Sequence, residues 1–277
     1  MFPDGPALVR PKAVEGRPRA VPRPRWPALM MAIAVVVGMA GCAVRRPPTL
    51  PPPLPAPDAE AVLAQARGIN RGLQTFKGVG RLEIETPGFR RTARAAWVGR
   101  LAPARFRLDF IGAGLPVASI AGDGRRVYLR QPDGGVQTRL SSNPRLDDLL
   151  GLPVTAADLL HAMAGRLPDL PYQRASVHPD HEADGVLVVF YDRLGAARVR
   201  ATLDATGGRL QRLAFYRSDG VLQYRIDYGR YRPAGAYRLP HQVEVQDAQS
   251  LCRILVERWW PDAALNESIF VLEPAFQ

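Results

Sequence analysis

The residues best suited to catalysis or metal binding are four histidines and two cysteines, and their spacing decides which chemistry they support. Residues 178–182 read His-Pro-Asp-His-Glu and concentrate possible metal ligands in one short segment. A closed zinc site needs four ligands, usually as two separated pairs, and the sequence offers no second pair. Pro179 and Asp180 are residues that favour turns. We therefore predict a solvated turn here, and no metal site.

The other histidines form no catalytic arrangement in the sequence. His161 follows Leu160 in a predicted helix, where it would line a surface or a pocket edge, and His241 follows Pro240 at the start of a strand. The sequence has no G-x-S-x-G elbow, H-E-x-x-H helix, Walker loop or Rossmann fingerprint. We predict that the chain is not an enzyme and uses no cofactor. A periplasmic hydrolase remains an alternative if a serine or an acid pairs with His161, His178 or His241.

The first cysteine lies in a pattern typical of export. A basic, proline-rich stretch precedes the apolar run from Ala28 to Ala40, and Gly41 and Cys42 follow. This order of a basic region, a short apolar region and small residues is that of a secretory signal. The segment Met39-Ala40-Gly41-Cys42 looks like a bacterial lipobox, in which the cysteine is acylated and becomes the new N-terminus. We predict a signal peptide over 1–41 and lipidation at Cys42.

Two further features concern the mature chain. Cys252 lies within a predicted strand and reads as a small buried apolar residue. Removal of 1–41 takes away six basic and two acidic residues, which lowers the formal net charge from +11 to +7. Arginines alternating with aromatic residues also occur in sheets that bind single-stranded nucleic acid, but the same alternation occurs in any half-buried strand. We predict no nucleic-acid partner.

The remaining sequence indicates a tether and one β-rich domain. Residues 42–57 contain too many prolines to form a core and should act as a semi-rigid spacer, whereas 58–277 form the domain. Alternation of apolar and charged residues predicts antiparallel strands with one dry face. We predict helices over 58–74, 145–150 and 156–164. The predicted strands are 77–86, 90–99, 104–112, 115–121, 125–131, 136–140, 171–178, 185–192, 196–203, 209–217, 221–232, 238–246, 250–260 and 268–272. The expected architecture is mainly β with α, an incomplete, strongly curved antiparallel β-barrel closed by short α-helices.

Dispersed motifs along 68–261 resemble the LolA/LolB-like superfamily, and its outer-membrane receptor LolB in particular. The motifs that carry the resemblance are Gly78-Val79-Gly80-Arg81, Trp97, Arg105-Phe106-Arg107-Leu108, Gly114-Leu115, Leu149-Leu150-Gly151-Leu152-Pro153, Asp158-Leu159-Leu160, Tyr228-Gly229-Arg230-Tyr231, Leu239-Pro240 and Val243-Glu244-Val245. The tail from Ser268 to Pro274 is more similar to the end of LolA. A relative that carries lipid without being the receptor therefore remains open.

The resemblance implies a groove that holds acyl chains and a protein that places lipoproteins in the outer membrane. Leu115 would be the membrane-insertion element. The groove and its lid would be lined by Trp97, Phe106, Leu108, Phe110, Leu159, Leu160 and Met163. The implied partners are lipoprotein acyl chains, a LolA-like periplasmic carrier and outer-membrane lipids. The protein would be a monomer, lipid-anchored in the outer membrane and facing the periplasm. The alternative is a structural or assembly lipoprotein of the same fold that transfers no lipoproteins.

Overall fold

The computed structural model describes residues 50–147, 151–181 and 183–273. The predicted signal peptide, Cys42, the first part of the tether and residues 148–150 of the predicted helix at 145–150 are outside these described residues. Fifteen strands are present in the described part of the chain. Their bounds are β1 Thr75–Thr86, β2 Phe89–Arg100, β3 Arg105–Gly112, β4 Leu115–Gly122, β5 Arg126–Arg130, β6 Val136–Leu140, β7 Arg174–Asp180, β8 Gly185–Tyr191, β9 Ala197–Asp204, β10 Leu210–Tyr216, β11 Leu222–Gly229, β12 Arg232–Ala234, β13 Tyr237–Leu239, β14 Gln242–Gln246 and β15 Leu251–Pro261.

Thirteen strands form one antiparallel sheet in the order β6-β5-β4-β3-β2-β1-β15-β14-β11-β10-β9-β8-β7. The first six strands are consecutive neighbours because each connection is a short turn, which can join only antiparallel partners. The chain then crosses from one edge strand, β6, to the other, β7, and returns strand by strand to the centre. Strand β15 closes this path by pairing with β1. The edges β6 and β7 are at opposite ends of the strand order, so the sheet is not a closed barrel.

In the described ranges two α-helices accompany the sheet, α1 at Ala56–Gly68 and α2 at Ala156–Met163. The prediction for α2 is confirmed to within one residue. The predicted helix at 58–74 is wrong at its C-terminal end, because Asn70 adopts a φ of 50° and cannot continue a right-handed helix. Proline at the first helical positions, and not an Asp58 cap, begins this helix.

Three predicted strands differ from the structure, namely 221–232, 238–246, which is divided between β13 and β14, and 268–272. The predicted strand 221–232 breaks where Arg230 takes a φ of 54°, and a separate hairpin of β12 and β13 follows. The last predicted strand, 268–272, is wrong, because Glu267–Phe270 form a 3₁₀ helix. The side chain of Asn266 accepts a hydrogen bond from the Ser268 amide and caps this helix.

Close contact between β1 and the Trp97 ring depends on a glycine of β1, Gly78. The indole of Trp97 on β2 lies against the β1 backbone, where a Cβ at Gly78 would be 2.4 Å from its Nε1. The ring of Trp97 also meets Trp259 of β15 edge-on, with centroids 5.7 Å apart. Only glycine leaves room for a large aromatic ring across the pleat. The central strands therefore have a tightly packed aromatic layer on the face that α2 covers.

The last residues of the predicted tether contact the domain. The amide of Leu54 donates a hydrogen bond of 2.7 Å to the Val177 carbonyl on the edge strand β7. His178 Nδ1 donates to the Pro51 carbonyl over 2.7 Å, and Leu54 packs against the main core. Because one leucine supplies an apolar anchor among the prolines, this segment is held against the sheet instead of extending freely.

Candidate functional site

Helix α2 lies over the sheet and begins at a well-formed cap. The Thr155 side chain accepts a hydrogen bond of 3.2 Å from the Asp158 amide and donates one of 2.7 Å to the Asp158 carboxylate. The Tyr224 hydroxyl of β11 donates to the same carboxylate oxygen over 3.0 Å. Burial, and then the adjacent Asp158 charge, raises the pKa of Tyr224, so its hydroxyl stays protonated and remains a donor. Tyr224 thus fastens the N-terminal end of α2 to the sheet.

We expect Tyr224→Phe to loosen α2 without unfolding the protein. The variant removes one hydrogen bond to a charged acceptor and should lower the free energy of unfolding by about 1–3 kcal/mol. Hydrogen exchange should accelerate most at the amides of α2. The matched control is Tyr237→Phe, which removes a similar hydrogen bond, to Asp262 at 3.1 Å, away from α2. Equal exchange in α2 for both variants would contradict this role.

The C-terminal end of α2 is held by backbone-directed contacts. The Asn70 side-chain amide donates to the carbonyls of Ala164 and Arg238, at 2.9 and 3.0 Å. His161 Nδ1 lies 3.1 Å from the Leu167 carbonyl oxygen and the His161 side chain is buried. The prediction that His161 lines a surface is therefore wrong, because it secures the turn that follows α2.

Between α2 and the strands β1–β4 and β15 lies an apolar cavity of about 60 Å³. Its lining contains one charged side chain, Arg107, whose guanidinium is paired with Asp109 at 2.9 Å. The lining residues are Phe76, Leu82, Trp97, Val98, Phe106, Arg107, Leu108, Ile120, Leu146, Ala156, Leu159, Leu160, Met163 and Ile254. Such a surface offers contacts to hydrocarbon and few polar partners to any other ligand.

The structure brings together most of the residues predicted for the groove and lid. Six of them line the cavity, namely Trp97, Phe106, Leu108, Leu159, Leu160 and Met163. Phe110 is not part of the lining, although it is half-buried and packs against the main core. Phe76, Leu82 and Ile254 are among the lining residues that the sequence reasoning missed. Alternation along β1 would have indicated Leu82, whereas Ile254 is brought there by the long-range pairing of β15 with β1.

The cavity is small because side chains from both layers fill it. A Cβ at Gly99 would be 2.4 Å from the Phe76 ring and 2.7 Å from Leu160 Cδ2, so Phe76 and Leu160 meet over this glycine. A volume of 60 Å³ admits roughly four water-sized groups. A long acyl chain therefore enters only if α2 moves away from the sheet.

The hairpin between β3 and β4 carries Leu115 at an exposed position. Gly112 pairs with Leu115, and the two connecting residues, Ala113 and Gly114, have φ of 49° and 84°, as in a two-residue type I′ hairpin. The Leu115 side chain is 71% exposed, and Val117 beside it is 48% exposed. Two apolar side chains therefore project from one tight, well-defined hairpin.

Of the segment 178–182, predicted as a solvated turn, His178 is a buried residue of β7, so the prediction is wrong for this residue. Its Nε2 lies 2.7 Å from the Ser176 hydroxyl, and its Nδ1 bonds the Pro51 carbonyl. Serine hydrolases orient the histidine with a carboxylate, but a backbone carbonyl takes that place here. Neither Ser176 nor His178 lines the apolar cavity. The pair secures the tether segment on β7.

His241 and Cys252 are both buried and have structural surroundings. The His241 ring lies 3.3 Å from the Leu239 carbonyl, and burial lowers the pKa of this histidine. Cys252 is fully buried within β15, as predicted. Burial raises the pKa of its thiol to about 12, so the reactive thiolate is not populated at neutral pH. Among the described residues, no three His, Cys, Asp or Glu side chains group as metal ligands.

Comparisons with known proteins give the fold. No protein-family model and no curated protein sequence matches this chain. Within the described ranges no helix has the length and apolarity needed to span a bilayer. Solved structures, however, do match this chain. A domain from Vibrio parahaemolyticus, provisionally classed as an outer membrane lipoprotein-sorting protein, superimposes with a TM-score of 0.56 and 12% identity over 78% of this chain and 97% of that one.

Two other structures give a similar superposition. A DUF1329 family protein from Desulfovibrio piger has a TM-score of 0.59 and 12% identity, and the match covers 77% of this chain and 97% of that chain. A LolA superfamily protein from Nitrosomonas europaea has a TM-score of 0.51 and 15% identity, with the same coverage. The chain and these domains thus share a fold, a large antiparallel sheet accompanied by helices.

Proposed function

We propose that this protein is an outer-membrane lipoprotein that binds acyl chains beneath α2 and inserts lipoproteins into the outer membrane. The observation that carries the proposal is the apolar cavity between α2 and the sheet, with one charged and already paired side chain in its lining. The fold shared with a domain named for lipoprotein sorting and with a LolA superfamily protein supports it. Cys42 is proposed as the acylated anchor, and the described domain as a strongly curved, incomplete barrel. The proposed role is binding and transfer, without catalysis.

The energetics of transfer explain why such a protein would be tethered to its target membrane. Each methylene removed from water contributes roughly 0.8 kcal/mol, so exposing an acyl chain of about fifteen methylenes costs roughly 12 kcal/mol. A protein without an energy source cannot supply that. Passing the chain from the groove of a LolA-like carrier into a second apolar groove, and then into a bilayer, replaces one apolar environment with another. Proximity to the bilayer removes the aqueous step.

Uptake requires α2 to open, which breaks its polar contacts and uncovers buried side chains such as Leu160 and Met163. An acyl chain bound beneath the helix would cover these side chains again. The polar contacts that fasten it include those from Tyr224 to Asp158 and from Asn70 to Ala164. Each is worth about 1–3 kcal/mol, which is less than the burial energy of one long acyl chain. Acyl chains can therefore displace Leu160 from its position over Phe76 and Gly99 and remain bound.

The small volume of the cavity favours a second candidate function. A structural or assembly lipoprotein with the same fold would have its interior filled by Phe and Leu side chains, and Phe76 and Leu160 meet over Gly99 in this one. Such a protein would bind another envelope protein and would transfer no lipid.

The experiment that separates the two candidates is a transfer assay. The chain, acylated in a bacterial host and reconstituted in liposomes, is mixed with a LolA-like carrier loaded with a lipoprotein. Movement of the lipoprotein into the liposome fraction supports the receptor function. A complete lack of transfer with the folded wild-type chain would leave the assembly function.

Within this assay we predict that Leu115→Glu blocks delivery to the bilayer and leaves uptake from the carrier intact. A carboxylate in place of an inserting leucine is strongly disfavoured in a bilayer, so the delivery rate should fall by roughly tenfold or more. The matched control is Leu194→Glu, because Leu194 is also exposed in a turn, at 90%, but on another hairpin. Full delivery by Leu115→Glu would remove this residue from the proposed mechanism.

A further inference from the structure

A second cleft, of about 510 Å³, lies between the end of α1 and the segment that connects α2 to β7. Three guanidinium groups line it, those of Arg67, Arg71 and Arg166, against a single carboxylate, Asp169. Much of the remaining lining is apolar and includes Leu170 and Tyr172. The cleft therefore combines concentrated positive charge with an apolar surface.

The three arginines lack the carboxylate partners that other arginines of this domain have. Arg209, for example, bonds Asp204 at 2.6 Å and Arg253 bonds Glu244 at 2.7 Å. No ion pair within 4.0 Å involves Arg67, Arg71 or Arg166 in the described part of the chain. Three positive charges beside one carboxylate repel one another, and a bound anion would relieve this repulsion.

Two of these side chains are held in place by other groups. Arg166 Nη1 donates to the Leu73 carbonyl over 3.1 Å, which fixes one branch of the guanidinium. The Arg67 guanidinium lies 5.5 Å from the centre of the Tyr172 ring, and Tyr172 itself packs edge-on against Phe190 at 5.0 Å. Guanidinium groups oriented in advance lose little freedom when they bind a planar or tetrahedral oxyanion.

The lowered pKa of Arg166 also favours a bound anion at this cleft. Its partial burial lowers its pKa from the usual range, the nearby Arg71 lowers it further, and Asp169 opposes both effects. The fold thus keeps a charged group in a position that disfavours its charge. An anion between Arg71 and Arg166 would turn this repulsion into attraction to both groups.

We propose that this cleft is a binding site for a phosphate group, contacted by Arg67, Arg71 and Arg166. The inference goes beyond the proposed acyl-chain function, because none of these residues lines the apolar cavity. The phosphate could belong to a phospholipid headgroup or be free inorganic phosphate. Met163 lines the cavity and Arg166, three positions along the chain, lines the cleft, so both a phospholipid and free phosphate are tested.

The test is a thermal unfolding assay on the full chain in a neutral detergent. Inorganic phosphate is compared with chloride at equal ionic strength, and micelles containing phosphatidic acid are compared with micelles containing diacylglycerol, which lacks the phosphate. A ligand that binds only the folded state raises Tm, and the expected rise is about 3 °C or more at saturation. Arg71→Gln and Arg67→Gln should each remove most of this increment. Arg90→Gln, at an exposed site on β2, should keep it.

The outcomes separate the sources of the phosphate and the failure of the proposal. An increment with inorganic phosphate indicates recognition of the phosphate group alone, and an increment only with phosphatidic acid indicates a phospholipid headgroup. An equal increment in the wild type, Arg71→Gln and Arg67→Gln would be a general salt effect and would overturn the proposal. No increment with either probe would also overturn it, and would leave acyl-chain transfer untouched.

Discussion

Acyl-chain binding is expected to fall by roughly 30-fold or more when Leu159 is replaced by glutamate. Leu159 lies on α2, lines the apolar cavity and is only half-buried. A carboxylate there stays hydrated while α2 is in contact with the sheet. Once an acyl chain fills the groove, the carboxylate loses that water and gains no partner, at a cost of about 2–3 kcal/mol. This cost corresponds to about 30- to 150-fold in affinity.

The measurement is equilibrium binding of a fluorescent fatty-acyl ligand to the full chain. The buffer contains a neutral detergent below its critical micelle concentration. The matched control is Ala157→Glu, which places the same charge on the same helix at a half-buried position that does not line the cavity. The control should bind like the wild type. If Leu159→Glu and Ala157→Glu bind equally well, acyl chains do not occupy the space beneath α2.

The largest loss of stability is expected from Gly80→Ala. Gly80 lies on β1 next to a shift in its pairing with β15, and a Cβ at this position would be 2.1 Å from the Leu255 carbonyl oxygen. That oxygen belongs to the backbone of a central strand, so it cannot turn aside as a side chain can. We expect the free energy of unfolding to fall by roughly 3 kcal/mol or more, as in severe overpacking.

Urea denaturation followed by circular dichroism measures this change. Gly88→Ala is the control, because Gly88 lies between β1 and β2 and a Cβ there would meet nothing within 4 Å. Its effect should stay within about 0.5 kcal/mol. Similar midpoints for the two variants would mean that β1 and β15 separate more easily than their close contact implies.

Most strands could be predicted because their sequences alternate. In β1, Leu82 and Ile84 are buried while the intervening positions face outward, and a period of two is the signature of a half-buried strand. The start of α2 was also predictable, since Thr155 and Asp158 form a local cap. These features depend on residues within a few positions of one another, which a single sequence contains.

The errors arose where distant residues determine the structure. His178 reads as part of a turn because Pro179 and Asp180 follow it, but pairing with β8 continues β7 through these residues. The tail at 267–270 contains β-favouring residues, yet Phe270 is fully buried there in a 3₁₀ helix. Tertiary packing overrode local propensity in both segments.

The candidate site shows the same division. Leu159, Leu160 and Met163 could be assigned to the cavity because they lie together on one short helix. The loss of Phe110 and the gain of Ile254 could not be foreseen, since the register of β3 and the pairing of β1 with β15 decide them. The cleft with Arg67, Arg71 and Arg166 was equally hidden, because it joins segments almost a hundred positions apart.

The residues at Pro51–Leu54 also determine how copies of this protein can associate. An exposed edge strand can pair through its backbone with another molecule. A sheet with two exposed edge strands could therefore add copies head to tail without limit. The Leu54 amide bonds to a carbonyl of the edge strand β7. The prolines beside Leu54 have no N–H to donate to a strand of another molecule. In the thirteen-stranded sheet, β6 is the other edge strand. Pairing of β6 with β6 would be self-complementary and would stop at two molecules, so a single open edge would limit this kind of association to a dimer.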